Sequence, residues 1–246
     1  MTPLLVTKGL TRQFGGLTAV DHVDFELPAG EIRAIIGPNG AGKTTFVSLV
    51  CGRIPPSSGQ ILFDGDDITR LPAHERVKRG IAYTFQITSI FPNLSVFDNV
   101  ALSVQRNLMD KGGRMSARDL EAGVAQALAR VHLTDRVDMT AGKLAYGHQR
   151  LLEVAMGLAL KPRLLILDEP TQGLSDAEIE SFIALVREIA DSATVLLIEH
   201  NMPVVMALAY RITVMSNGAP LAEGTPAEIR ANAAVQQAYL GSTENV

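Results

Sequence analysis

The sequence predicts a mixed α/β domain with a helical block set into it. Short apolar, β-branched runs alternate with stretches of helical spacing up to about residue 95, and again from Leu144. Between Val96 and Val131 the strand-like runs disappear and helical spacing takes over. A glycine-rich turn at residues 37–44 joins an apolar run to a helical one.

Each element has its own signal. Leu4–Thr7 and Val23–Leu27 read as strands. Ile32–Ile36 reads as a buried strand leading into the glycine-rich turn, and Thr44–Cys51 as the helix after it. Ile61–Phe63 is a strand stopped by the turn signal Asp64-Gly65. Ala82–Phe85 is another short strand. Val96–Leu108 reads as a helix, followed by a loop at Lys111-Gly112-Gly113. Ser116 with Asp119 forms a capping signal that opens a helix running to Val131. Leu144–Leu160 is helical, and Leu164–Leu167 is an apolar strand ending in Asp168-Glu169. Ile179, Phe182, Ile183 and Val186 share one helical face. Thr194–Ile198 is a strand ending at Glu199-His200. Arg211–Met215 and Pro220–Ala222 form a hairpin across Ser216-Asn217-Gly218, and two short helices, Pro226–Arg230 and Val235–Leu240, close the chain. The expected organisation is one domain over 1–246. Its α/β core spans 1–95 and 145–246, and a helical subdomain spans 96–144.

Composition narrows the function classes. The 246 residues suit one large domain, or one with a satellite, at roughly 150 residues per domain. Apolar residues at 47% and charged residues at 20% are globular values and exclude general disorder. A net charge of −4 argues against nucleic acid as a partner, since phosphate backbones select a basic face. A single cysteine, Cys51, excludes a disulfide framework and reads as a small core residue. The N-terminus lacks a signal-peptide pattern and carries Lys8. The longest uncharged run, Ile81–Phe97, is broken by Thr84, Gln86, Pro92 and Asn93 and cannot cross a bilayer. The chain is expected to be soluble and to meet a membrane only through a partner.

Three segments carry chemistry. Gly37-Pro38-Asn39-Gly40-Ala41-Gly42-Lys43-Thr44 fits the phosphate-loop pattern, with a strand before it and a helix after it. The glycines let backbone N–H groups converge on phosphate oxygens, and the helix start adds its positive dipole end. Lys43 can reach the β- and γ-phosphates, and Thr44 can offer a hydroxyl to Mg²⁺. Asp168-Glu169 leaves a buried strand where a parallel sheet places its ligands. Asp168 can hold the magnesium ion, and Glu169 can polarise a water for attack on the γ-phosphate. The Asn-Lys-x-Asp motif that reads a guanine base is absent. The third segment, Leu144-Ala145-Tyr146-Gly147-His148-Gln149-Arg150, opens a helix.

With these segments in order, the chain resembles the ATP-binding cassette (ABC) ATPases over essentially its whole length. The order is phosphate loop, Gln86 after a strand, a Leu-Ser-Gly-Gly-Gln-like signature, Asp168-Glu169, and His200 after a strand. The resemblance implies a phosphate-loop NTPase core with a mixed sheet, and ATP and Mg²⁺ as cofactors. Asn39, Gly40, Ala41, Gly42, Lys43, Thr44 and Thr45 would surround the phosphates. Phe14 would stack on adenine, with Val20 beside the sugar or base. Thr44, Gln86 and Asp168 would serve the metal, Gln86 also signalling to a membrane subunit. Glu169 and His200 would be catalytic, His200 contacting the γ-phosphate. Ala145, Tyr146, Gly147 and His148 would face the ATP held by a second ATPase subunit, identical or paralogous. The signature departs from the family at Ala145, Tyr146 and His148, which removes its serine hydroxyl. After Pro170 the family's aspartate position holds Ser175, with Asp176 one step later.

The Leu-Ala-Tyr-Gly signature, the Gly80–Gln86 stretch and the ending from Glu223 to Gly241 resemble ATPase subunits of importers for branched-chain and other hydrophobic amino acids. Urea, amide or other small-solute importers share much of this pattern and form the alternative. A cassette ATPase without a transport role is a further one, opposed by the single cassette and the lack of sustained heptads. A scaffold that binds ATP without turnover is opposed by Glu169 and His200. The implied partners are integral membrane permease subunits, a second ATPase subunit and, indirectly, a solute-binding protein. The implied location is the cytoplasmic face of the inner or plasma membrane. The permease-facing surface is expected around Gln86–Asp98, with Ile87, Ile90, Phe91 and Leu94 as its apolar residues.

Overall fold

The structure is a computed structural model that describes residues 3–84, 89–110 and 116–240. Its N-terminal part is a curved antiparallel sheet. Strand β1 (Pro3–Phe14) pairs with β2 (Leu17–Pro28). Both run well beyond the short apolar cores that mark them in the sequence, because register shifts along the pair let polar stretches continue the ladder. Strand β3 (Ile32–Ile36) leads into the phosphate loop and helix α1 (Lys43–Val50). Strands β4 (Ser58–Phe63) and β5 (Asp66–Asp67) turn at Asp64-Gly65 and complete a four-stranded sheet in the order β2-β1-β4-β5. Helix α2 (Ala73–Lys78) precedes β6 (Ile81–Thr84).

The helical stretch follows. Helix α3 (Val96–Asp110) is succeeded by α4 (Ala117–Arg130), whose first turn is capped by the Ser116 hydroxyl accepting from the Asp119 N–H at 3.1 Å. Two single 3-10 turns, Thr134–Arg136 and Ala141–Lys143, lead to α5 (Tyr146–Ala159). Then come β7 (Leu164–Asp168), α6 (Asp176–Ala190), β8 (Thr194–Ile198) and α7 (Met202–Leu208). The hairpin β9 (Arg211–Ser216) and β10 (Ala219–Gly224) turns on Asn217 and Gly218, both with positive φ. Helices α8 (Pro226–Ala231) and α9 (Ala233–Leu240) end the described chain. The short helices α2 and α7 carry too few apolar repeats to stand out in the sequence.

The second sheet has six strands in the order β10-β9-β3-β8-β7-β6, parallel except for the β9–β10 hairpin. Its central strands are buried on both faces, and their alternation shows where each face goes. Leu164, Ile166, Leu196 and Ile198 pack with α1 and the antiparallel sheet. Leu165, Leu167, Val195 and Leu197 pack with α3, α4, α5 and α6. Helix α1 therefore lies between the two sheets, clamped by the Phe46 ring edge-on to Phe25 of β2 at 5.3 Å. The phosphate loop inherits its position from this packing.

Phe46 is 1% exposed. Phe46→Ala is expected to destabilise the fold by about 3–5 kcal/mol through lost burial and a residual cavity. A lower urea midpoint with an unchanged slope checks this.

Candidate functional site

The site forms where β3, β7 and β8 end on the same edge of the parallel sheet, the edge where such sheets hold ligands. The phosphate loop leaves β3 and closes through Gly42, which has φ 94° and precedes α1. A side chain at Gly42 would collide with the Ala19 carbonyl oxygen of β2, so the loop needs glycine there for both reasons. The Ala41 carbonyl accepts from the Gly218 N–H at 3.1 Å, which fastens the β9–β10 turn to the loop. Leu17, Thr18 and Ala19 of β2 and Asn217 of that turn line one groove of about 510 Å³ with residues 39–45 and Glu169. These four lining residues carry no motif and were not legible in the sequence.

Lys43 is nearly buried, and its Nζ donates to the carbonyls of Gly37 at 2.7 Å and Pro38 at 3.0 Å. Burial lowers its pKa, while Glu169 and Asp168 oppose that shift. Thr44 is exposed and Thr45 half-buried on the first turn of α1. Asp168 has no exposed surface. Its Oδ2 accepts from the Tyr83 hydroxyl at 2.7 Å, and its Oδ1 is buried without a hydrogen-bond partner among the described residues. Burial raises the Asp168 pKa, and burial first, then the Asp168 contact, raises that of Tyr83. An orphaned buried carboxylate oxygen beside a threonine-bearing phosphate loop fits a divalent cation. Among the described residues no cluster of three or more His, Cys, Asp or Glu could hold a metal alone, so the nucleotide's phosphates would complete the shell.

Glu169 follows with φ 46°, an unusual conformation for a non-glycine residue. Its N–H donates to the Ile198 carbonyl at 2.8 Å, which ties the end of β7 to the end of β8. The His200 Nδ1 lies 3.9 Å from Glu169 Oε1, with the histidine side chain 60% exposed. Lys43, Asp168, Glu169 and His200 thus converge, as the sequence pattern requires.

Arg150 of α5 is the residue that sequence reasoning missed. Its guanidinium is 1% exposed and donates to the carbonyls of Asp168 at 2.6 Å, Glu169 at 3.0 Å and Pro170 at 3.3 Å. A buried Glu153 balances the charge at 2.7 Å. The Glu at i+3 from Arg150 on a predicted helix was its only sequence signal.

Other expected residues lie elsewhere. Phe14 is 44% exposed, with the Arg12 guanidinium 4.5 Å over its ring. It pairs with Leu17, which lines the groove. Val20, expected beside the sugar or base, has no exposed surface and packs in the core, whereas Leu17, Thr18 and Ala19 line the groove. Gln86 and Ile87 fall outside the described residues. Phe91 and Leu94 are exposed and Ile90 half-buried.

The signature residues are not in the phosphate-loop groove. Ala145 is the N-cap of α5 and supplies no side-chain cap. Tyr146 packs on Gly173 of the same chain. Gly147 and His148 line a separate cavity of about 330 Å³ between α5 and α6. His148 Nδ1 lies 3.2 Å from the Arg136 guanidinium. A Cβ at Gly147 would meet the carboxyl end of Glu178 of α6, so a side chain there requires that flexible group to move away from its bonds with Ser175. Ser175 is the N-cap of α6, its N–H and hydroxyl donating to Glu178 at 2.8 and 2.7 Å.

Arg150→Met is expected to cost about 3–5 kcal/mol, because it removes the cation that balances the buried Glu153 charge and the donors to three carbonyls. The double variant Arg150→Met with Glu153→Met should recover only the part due to the Glu153 charge, since the carbonyls of Asp168, Glu169 and Pro170 still lose their guanidinium donor. Urea unfolding of both variants checks the difference.

Comparison with known proteins agrees with this geometry. Residues 20–172 match the ABC transporter family, and residues 219–245 match the branched-chain amino acid ATP-binding cassette transporter family. The chain is 40% identical to the high-affinity branched-chain amino acid transport ATP-binding protein BraF of Pseudomonas aeruginosa, over 97% of this chain and 98% of the relative. It is 38% identical, over the same shares, to the corresponding protein LivG of Escherichia coli. It is 35% identical to the lipopolysaccharide export system ATP-binding protein LptB of Escherichia coli, over 96% of this chain and 97% of the relative. A nucleotide-free ATP-binding cassette from an ABC transporter superposes with a TM-score of 0.87 at 26% identity, over 97% of this chain and 99% of the other. The chain belongs to the ABC transporter family and is an ATP-hydrolysing cassette of it.

Proposed function

We propose that this ATPase energises uptake of branched-chain or related hydrophobic amino acids through separate permease subunits, as one of two ATPase subunits at the cytoplasmic face of the membrane. The convergence of Lys43, Asp168, Glu169 and His200 carries the catalytic assignment. The likeness to BraF and LivG, and the match over 219–245, support the amino-acid substrate and the import direction. Among the described residues no helix is long and apolar enough to cross a membrane, so attachment would run through the permease. A solute-binding protein would select the cargo.

ATP would lie along the groove, its phosphates on the N–H groups of residues 39–45 and the positive end of α1. Lys43 would exchange its carbonyl contacts for phosphate oxygens, which favour its charged form. Thr44 and Asp168, with Gln86, would hold Mg²⁺, which neutralises charge on the β- and γ-phosphates when bound. Glu169 would take the proton of the attacking water, and His200 would face the γ-phosphate from the end of β8. The uncapped start of α5, carrying Ala145, Tyr146, Gly147 and His148, would meet the nucleotide held by the second subunit, because it lies outside its own chain's groove. We assign 96–144 to a helical subdomain that presents this start.

Glu169→Gln should keep ATP affinity within about twofold and lower kcat by about 10²–10⁴. Lys43→Ala should weaken ATP binding by about tenfold or more, since it removes a charged phosphate contact. Fluorescent-nucleotide titration and phosphate release read both. Wild-type turnover in Glu169→Gln would overturn the assignment of the base.

The loop bearing Phe91 is pinned from below: the Phe91 N–H donates to Asn99 Oδ1 at 2.7 Å, and the Asn99 amide donates back to the Phe91 carbonyl at 3.0 Å. Phe91 is 51% exposed on this fixed loop, as a docking surface for the permease requires. Phe91→Glu should abolish amino-acid uptake in the reconstituted transporter while the isolated chain still hydrolyses ATP. Normal uptake would count against the docking surface.

A further inference from the structure

Glu199 is a buried carboxylate, 1% exposed, that none of the catalytic assignments uses. It follows β8 directly and precedes His200. Its two oxygens serve two different loops. Oε1 accepts from the Thr171 N–H at 3.0 Å and from the Thr171 hydroxyl. Oε2 accepts from the N–H groups of His200 at 2.9 Å and Asn201 at 3.0 Å. Four neutral donors thus surround one buried charge, which is the arrangement that makes such a burial tolerable. Asn201 in turn caps α7 through the Val204 N–H at 3.4 Å. Thr171, 5% exposed, begins the turn that runs through Gly173, where Tyr146 of the signature packs, to Ser175 at the start of α6.

We propose that Glu199 is a positioning residue that locks the backbone of His200 to the loop after Pro170, so that these two segments shift as one body when the γ-phosphate arrives or leaves. The bidentate carboxylate is the device. An alcohol or an apolar side chain at this position would leave buried N–H groups of one or both loops unpaired. An amide could accept on one side only: its NH₂ would face either the Thr171 N–H or the N–H pair of His200 and Asn201. The Thr171 hydroxyl can rotate to accept from that NH₂, whereas the backbone N–H groups cannot. The Gln variant is therefore expected to keep the His200 side whole, while the Thr171 N–H loses its acceptor and only one hydroxyl bond remains on that side. The coupling would loosen while both loops persist.

This inference rests on the reading of His200 as the γ-phosphate contact, and the test separates the two. Glu199→Gln, Thr171→Val, their double variant and His200→Ala are compared in the full-length chain, by fluorescent-ATP titration and by phosphate release. Glu199→Gln is expected to lower kcat about tenfold with ATP affinity unchanged within about twofold. The double variant should lose less than the product of the two single losses, because both changes act on the same link. Wild-type kcat in Glu199→Gln, a parallel loss of affinity and kcat, or losses that multiply in the double variant would each overturn the proposal. If Glu199→Gln does not fold, Thr171→Val decides. It should lower kcat about threefold or more at unchanged affinity, and a wild-type rate overturns the coupling. If His200→Ala turns over normally, the reading of His200 itself fails. If His200→Ala collapses turnover and Glu199→Gln does not, the coupling alone fails.

Discussion

The guanidinium of Arg150 is the constraint on which the catalytic edge depends. Strand β7 ends in two acids and then reverses, and a reversal leaves backbone carbonyls without ladder partners. Arg150 fills that need for three consecutive residues, Asp168, Glu169 and Pro170, from a helix in another part of the chain. A guanidinium suits the task because it offers five donors in a fixed plane. Its charge is matched by Glu153 one turn along the same helix, so the buried pair adds no net charge next to the phosphate site. The consequence is mechanical. The helix that begins at Tyr146 is bonded to the backbone of Glu169, so the start of α5 and the loop after β7 in one chain cannot drift independently.

The parts of this arrangement legible in the sequence are those where a short segment does its own chemistry. The phosphate loop, the Asp168-Glu169 pair and His200 each declare themselves because glycine spacing, an acidic strand end or a histidine after an apolar run has few other uses. The central strands are equally plain, since burial on both faces leaves uninterrupted runs such as Leu164–Leu167. What the sequence hides is long-range pairing. Tyr83 and Asp168 are joined across neighbouring strands, Glu199 and Thr171 across two loops, and Ala41 and Gly218 across the whole chain. None of these partners is marked locally, because a hydrogen bond between distant segments needs no sequence period. The burial of Val20 is equally unmarked, because nothing in the local pattern of β2 says which residues meet α1 and which line the groove.

The unusual signature follows from the same packing. Gly147 lies against the Glu178 carboxyl, and Tyr146 lies on Gly173, so the start of α5 is fitted to the loop and helix that follow β7. Ser175, in place of an aspartate, still caps α6, and it does so through Glu178, the residue that abuts Gly147. Hydrogen bonding from Ser175 holds the Glu178 carboxyl below the usual range and therefore ionised at neutral pH. The departures from the family pattern thus sit together in space: Tyr146 over the loop, Ser175 at its end, and His148 held by Arg136. A change at one of them alters the seat of the others.

Two acids in succession could have been equivalent, and the backbone makes them different. Along a strand, neighbouring side chains point to opposite faces, so Asp168, the last residue of β7, turns into the sheet's packed side. There Tyr83 occupies one of its oxygens and the other is left without a donor, which raises the cost of the bare charge and the benefit of a cation beside it. Continued strand geometry would send Glu169 into the opposite core. The left-handed turn at Glu169 prevents this and swings its carboxylate to the groove, 3.9 Å from His200. The strain of that φ is held by the bond from the Glu169 N–H to Ile198 and by those from Arg150 and the Gln172 N–H to the Glu169 carbonyl. One reversed dihedral therefore separates the two: the fully buried acid is suited to a metal and the half-buried acid, which lines the groove, to a water.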